Sequence, residues 1–244
     1  MTDAYQAVKS LEMFSGARQH QNFANFKNLL PVSEMPAAAE PCPFETGKGI
    51  KLPAEFSFAG ERVDTSKFLQ RTDTGGLLVL QDGRIRFEEY WLSGGPEVQW
   101  ISWSVAKSFV SALVGIAVHE GSISSIDEPI SDYINVQPGS AYDGASIKDV
   151  LQMSSGARWN EDYGDPESDI NQFSRAMAGL GTFDEFLSTM VRDTPPGTLC
   201  RYNSADTQAL GSLLISATGR SITDYMREKL CDCLLYTSDA ADES

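Results

Sequence analysis

The chain has little of what most nucleophilic and metal centres are built from. Of its 244 residues two are histidine, His20 in a polar stretch and His119 at the far end of an apolar run, and four are cysteine, Cys42, Cys200, Cys231 and Cys233. Those cysteines make no ligand spacing that two histidines could complete, so neither a metal nor another cofactor is expected. No Gly-x-Ser-x-Gly occurs and no histidine follows late in the chain, which excludes a Ser-His-Asp hydrolase of the α/β type. Basic residues are scarce: 19 lysines and arginines stand against 34 aspartates and glutamates, a formal net charge of −15. That balance argues against nucleic acid and anionic membranes as partners. Long apolar runs are missing too, since Phe109 to Val118 falls well short of the roughly 20 residues that span a bilayer. Met1 to Gln6 has no basic start leading into an apolar core, so no secretory signal is read and cytoplasmic residence is the expectation.

What is present is one Ser-x-x-Lys. Ser104-Val105-Ala106-Lys107 follows Trp100-Ile101-Ser102-Trp103 and opens the apolar run from Ser108 to Val118, so it is read at the start of a helix. Residues three apart share a helix face, which brings the lysine amine beside the serine hydroxyl. Serine is a weak nucleophile until a neighbour takes its proton. An ordinary lysine, with a pKa of about 10.4, is protonated at pH 7 and cannot do so. A buried helix start would serve both groups, because burial and the helix N-terminus each disfavour a second cation. The run behind the motif reads as almost wholly buried. Read without context, the same pattern also fits a capping serine beside a solvated lysine.

A lysine helper calls for a second proton-handling group, and Tyr202-Asn203-Ser204 is the candidate. It follows the Pro195-Pro196-Gly197 turn and precedes a helix beginning near Ala205, a junction from which a tyrosine can point into a cleft. The plainer alternative is a packed tyrosine beside a Ser204 helix cap.

Trp103 to Ser108, Leu151-Gln152-Met153-Ser154-Ser155-Gly156, Pro196-Gly197 and Tyr202-Asn203-Ser204 occur in the order seen in serine β-lactamase-like hydrolases. The chain resembles that group, which includes class C β-lactamases, penicillin-binding DD-peptidases, related esterases and 6-aminohexanoate oligomer hydrolases. Gly156-Ala157-Arg158-Trp159-Asn160-Glu161-Asp162-Tyr163 is most like the oligomer-hydrolase and esterase branch, and the resemblance runs from about Thr72 to about Leu230. It implies an α+β fold of the β-lactamase/transpeptidase type, an antiparallel sheet flanked by helices plus a helical subdomain. It also implies Ser104 as acylated nucleophile, Lys107 as its proton acceptor, and Tyr202 as the acid/base. Tyr163, Asn203 and Ser204 would contact the substrate, a small-molecule amide or ester. Asn203 and Ser204 depart from the commoner Tyr-x-Asn, so a hydroxyl stands where an amide would contact substrate. Without Ser-Asp-Asn or a class A deacylating glutamate, efficient β-lactam turnover is not expected. The absence of a signal weighs against a cell-wall DD-peptidase. A non-catalytic binding or scaffold protein on the same fold, or a penicillin-recognising protein that acylates and stalls, are the competing readings.

Residues 1–70, rich in proline, read as a loop-rich extension, and 71–232 as a partial hydrolase domain. Gly76–Gln81 and Arg84–Trp91 around Asp82-Gly83 predict a β-hairpin. Ser146 to Asp149 and Thr182 to Glu185 predict capping boxes, and Gly219 before Ser221 predicts a helix stop and a new cap. Residues 233–244 resemble a translated sequencing adapter and are set aside. With them goes the expectation of a fragment that lacks the C-terminal strands and half of its oxyanion hole, and is nearly inactive. The acidic residues Asp162, Asp165, Glu167 and Asp169 are read as either solvated or facing an amine-bearing substrate.

Overall fold

The computed structural model describes residues 19–29, 32–38, 43–177 and 179–232. Residues 233–244, read above as an adapter remnant, lie outside that set. The described residues form two compact units, one of 19–29, 32 and 43–101, the other of 33–38 and 102–232.

In the first unit a short helix α1 (Gln19–Ala24) is followed by strands β1 (Glu45–Thr46), β2 (Glu55–Phe58) and β3 (Glu61–Asp64), helix α2 (Thr65–Arg71), and strands β4 (Gly76–Gln81) and β5 (Arg84–Tyr90). The Asp-Gly signal forms the hairpin as expected. Asp82 at φ 53° and Gly83 at φ 67° supply the two positive dihedrals that match the twist of the flanking strands. β5 pairs antiparallel with β4, from Gln81 opposite Arg84 to Gly76 opposite Tyr90, with a register shift between Val79 and Leu80. β1 adds to the other edge of β5 in parallel, so the sheet is small and mixed. Residues 55–71 differ from the loop-rich expectation. β2 and β3 make a second hairpin through Ala59 and Gly60, and Phe56 packs edge-to-face on Phe68 of α2 at 5.5 Å. Strands of four residues offer too few alternations for a pattern to show, and the surrounding prolines masked them.

The second unit is helical: α3 (Ala106–His119), α4 (Ile147–Leu151), α5 (Asp169–Met177), α6 (Phe183–Ser188), α7 (Ser204–Thr218) and α8 (Ile222–Met226). Its core gathers Leu113, Val114 and Ala117 of α3 against Ala205, Ala209, Leu210, Leu213 and Leu214 of α7, with Ile147, Val150, Leu187 and Tyr225 around them. The alanines at 205 and 209, one turn apart, let the helices approach closely. Both predicted capping boxes form, at Ser146/Asp149 and Thr182/Glu185, and Gly219 ends α7 in the left-handed region at φ 66° before Ser221 caps α8. The fold is α+β, and among the described residues no named strand follows Tyr90.

The reading of α3 as almost wholly buried is corrected. Only one face packs, with Phe109 41% exposed, and the helix start that would serve the serine and lysine by being buried is open instead, Ser104 and Val105 both being exposed. An all-apolar helix composition reports what could be buried, whereas burial needs a partner on each side, and α7 supplies one.

Candidate active site

Ser104 sits in a 3-10 turn, Trp103–Val105, that runs directly into α3. The chain enters it through Trp103 at φ 45°, a left-handed conformation that costs a bulky residue about 1–3 kcal/mol and is held where the surrounding structure over-determines it. The turn projects Ser104 ahead of the helix. Lys107, one turn on, reaches back so that its Nζ donates to Ser104 Oγ at 3.2 Å. Tyr202, 98 residues away in sequence, closes the group from the other side: its hydroxyl lies 2.6 Å from Ser104 Oγ, and either oxygen can be the donor. Lys107 Nζ stands 5.1 Å from the centroid of the Tyr202 ring, a cation–π distance. The structure thus brings Ser104, Lys107 and Tyr202 into one hydrogen-bonded set.

Two antiparallel backbone connections carry Tyr202 there. Arg158 N–H donates to Val191 O and Ala157 bridges Arg192; further along, Gly197 N–H donates to Ser154 O and Arg201 N–H to Met153 O, both at 2.8 Å. The segment leading into Tyr202 is therefore laced to the 153–158 segment, which leads into Glu161 and Tyr163. Gly156 makes the lacing possible, since at φ +80° a Cβ there would lie 2.2 Å from Thr194 O.

Glu161 is a residue that sequence reasoning passed over. Its carboxylate receives Ser204 Oγ at 2.7 Å, Ser204 N–H at 3.3 Å, Tyr163 OH at 3.3 Å and the Trp159 indole N–H. Ser204 and Tyr163, both expected to touch substrate, thus share one carboxylate beside the Ser104 set. Burial, then the neighbouring Glu161 charge, pushes the Tyr163 phenol up to about 12, so it remains a neutral donor. The signal available in sequence was only the spacing of Glu161 and Tyr163, two apart.

Asn203 takes a different place from the one expected. It is 2% exposed and acts as the N-cap of α7, its Oδ1 accepting from Ala205 N–H at 2.8 Å while its Nδ2 donates to Asp206 Oδ1 at 3.0 Å. Both ends of its amide are engaged within the scaffold, so it contributes support to Tyr202 instead of a free contact. The acidic loop is shaped by its own carboxylates: Asp169 accepts from Asn160 N–H and Arg158, Asp162 from Gly164 N–H, and Asp165 from Glu167 N–H. Among the described residues no group of three or more His, Cys, Asp and Glu side chains could hold a metal, and no helix is long and apolar enough to cross a membrane.

Asp206 lies beneath this junction, buried with Tyr142 and Ser155, which donate to its Oδ1 at 2.9 and 2.8 Å. Burial raises its carboxyl to about 7 against these donors, which pull the other way. The unfolded chain loses this proton near the usual value of about 3.9, so between about pH 4 and 7 the folded state binds more protons than the unfolded. Stability from this group is full below pH 4 and is lost as pH rises through 7, by up to about 1.4 kcal/mol per unit. Urea unfolding of wild type and Asp206→Asn at pH 4.5, 6 and 7.5 checks this: the difference between them should grow with pH and level off above 7.

Fold and constellation together define a candidate nucleophilic-serine centre on an α+β scaffold. The beta-lactamase family profile matches residues 65–241. The 6-aminohexanoate-dimer hydrolase of Paenarthrobacter ureafaciens is 30% identical over 219 residues, which cover 85% of this chain and 54% of that protein. The chain belongs to the beta-lactamase family. Among solved structures, a Bacillus anthracis protein provisionally described as a 6-aminohexanoate-dimer hydrolase matches with a TM-score of 0.80 at 16% identity, over 91% of this chain and 61% of its own. A D-stereospecific amidohydrolase from a Streptomyces species matches at 0.50 and 19% identity, over 62% and 46%. At these identities the structures speak for the fold alone. The chain spans about half the length of the curated relative it matches, 54%.

Proposed function

We propose that the protein is a serine hydrolase that cleaves a small-molecule amide or ester through an acyl-enzyme on Ser104. The observation that carries this is the hydrogen-bonded set of Ser104, Lys107 and Tyr202, with Oγ 3.2 Å from the amine and 2.6 Å from the phenol. Ser104 Oγ attacks the carbonyl carbon and, in this reading, its proton passes to the Lys107 amine beside it. The tetrahedral oxyanion then collapses, expelling an amine or alcohol that takes a proton delivered through Tyr202. Water repeats the sequence in reverse, giving its proton to the Tyr202–Lys107 pair as it attacks the ester, and Ser104 leaves with a proton restored. Tyr163 and Ser204, held on Glu161, are the side chains this reading assigns to substrate contact. An amide is favoured, because the Paenarthrobacter relative acts, by its name, on an aminohexanoate dimer.

Ser104 N–H is taken as an oxyanion donor in this reading, and removal of one such donor typically costs about 2.7–4 kcal/mol. Acylation by a strong electrophile is less demanding. A fluorophosphonate probe should therefore form an adduct on the peptide bearing Ser104, mapped by mass spectrometry, and Ser104→Ala should lose it with an unchanged circular dichroism spectrum. A folded wild-type chain that takes no label would sink the reading.

A further inference from the structure

Tyr202 must be aimed by something other than its own packing. Its side chain is 48% exposed, yet its hydroxyl is held 2.6 Å from Ser104 Oγ. The aim therefore comes from the backbone on either side of it. Asn203 follows, at φ −147° and ψ 111°, with its Oδ1 committed to the helix cap and its Nδ2 to Asp206. Arg201 precedes, and its N–H is bonded to Met153 O in the segment that also carries Ser155, whose hydroxyl donates to Asp206. Tyr142 OH is the third donor to the same oxygen. One carboxylate oxygen thus ties together the residue after Tyr202 and the segment bonded to the residue before it.

We propose that Asp206 is a positioning residue for Tyr202, a buried carboxyl that fixes both flanks of the tyrosine and so keeps its hydroxyl on Ser104. Burying that carboxyl is costly: it is 1% exposed, and among the described residues its Oδ2 has no hydrogen-bond partner. Capping α7 does not require it, since Asn203 caps through its own Oδ1. What Asp206 adds is the fixed orientation of Asn203 and its tie to Ser155, geometry that matters where Tyr202 has to meet a hydroxyl at 2.6 Å. Charge is secondary to this role, because an amide oxygen at the same position is also an acceptor facing the same donors.

This inference rests on the hydrolase reading, and its test separates the two. The rate of fluorophosphonate labelling at Ser104 is measured for wild type, Asp206→Ala, Tyr202→Phe and the double variant, each checked for fold by circular dichroism. Asp206→Ala should slow labelling about 10-fold in the presence of Tyr202 and by less than about 2-fold in the Tyr202→Phe background, because the coupled residue is then gone. Asp206→Asn should restore most of the rate. Equal slowing in both backgrounds, or none in either, overturns the proposal, for a carboxyl that merely stabilised the fold would act independently of Tyr202. In parallel, the Tyr202 ring-carbon resonance next to the hydroxyl, read in tyrosine-labelled protein, should move in Asp206→Ala and stay in Asp206→Asn. If wild type takes no label the hydrolase reading falls, and the resonance alone decides: unmoved in Asp206→Ala, it overturns the positioning role. Should Asp206→Ala not fold, Ser155→Ala, which cuts the tie to the 153–158 segment, is read in its place against the same outcomes.

Discussion

Replacing Lys107 by alanine is expected to slow acylation of Ser104 by about 10²- to 10⁴-fold, the usual weight of a positioned proton acceptor. The amine is 3.2 Å from the nucleophile and is delivered by the first turn of α3, three residues after Ser104 in the 3-10 turn that runs into that helix. Tyr202 stands closer, at 2.6 Å, but the amine also faces the tyrosine ring at 5.1 Å, so removing Lys107 disturbs the tyrosine as well. Lys107→Arg distinguishes the two roles that the amine could play. Arginine keeps a cation over the ring and is not deprotonated in proteins, so it restores the rate only if Lys107 acts as a fixed positive charge. Time courses of probe labelling for the three chains check this, and the acyl-transfer reading expects arginine to be no better than alanine. Recovery with arginine would remove Lys107 as the base.

The parts of this molecule that were legible in sequence are those decided within a few residues. Asp82-Gly83 makes its hairpin, Ser146 and Thr182 make their capping boxes, and Gly219 stops α7, because each is a local backbone demand that few residue types meet. Ser104 with Lys107 belongs to the same class, a pair written by helical periodicity. Tyr202 does not; 98 residues separate it from Ser104, and it was reached only through its place between a turn and a helix and the order of motifs in a resembling family. Glu161 and Asp206 were illegible for the same reason. Beyond neighbours two or three residues off, their partners lie 43 residues away at Ser204, and 51 and 64 away at Ser155 and Tyr142, and the local pairs alone do not set them apart from the chain's other carboxylates. Asn203 was placed among the substrate contacts by the family's motif alone, whereas its extended backbone turns it inward to cap the helix. The exposed face of α3 shows the opposite error, in which apolar residues were taken as buried although Phe109 is 41% exposed.

Gly156→Ala is expected to be the most damaging small substitution in the helical unit, and it separates two costs that glycine positions usually mix. At φ +80° an alanine carries the left-handed penalty of about 1–2 kcal/mol. Its Cβ would also fall 2.2 Å from Thr194 O and 3.2 Å from Pro196 N, both backbone atoms that cannot rotate away. The 193–197 segment then has to shift, straining the bonds that Asp193 and Thr194 N–H make to Gly156 O at 2.8 and 3.1 Å. A total loss of about 3 kcal/mol or more is expected, within the range of severe single-site effects. Gly139 is the control, since it has φ +79° but open space around its Cβ position, and Gly139→Ala should lose only the dihedral part. Urea unfolding of the two variants gives the difference directly, and equal losses would mean that close approach is not what glycine provides at 156. The same shift propagates along 193–201 toward Tyr202, so in the folded fraction Gly156→Ala should also label more slowly at Ser104 while Gly139→Ala does not. A loop residue far in sequence from the nucleophile would then act on it through the backbone that carries the tyrosine.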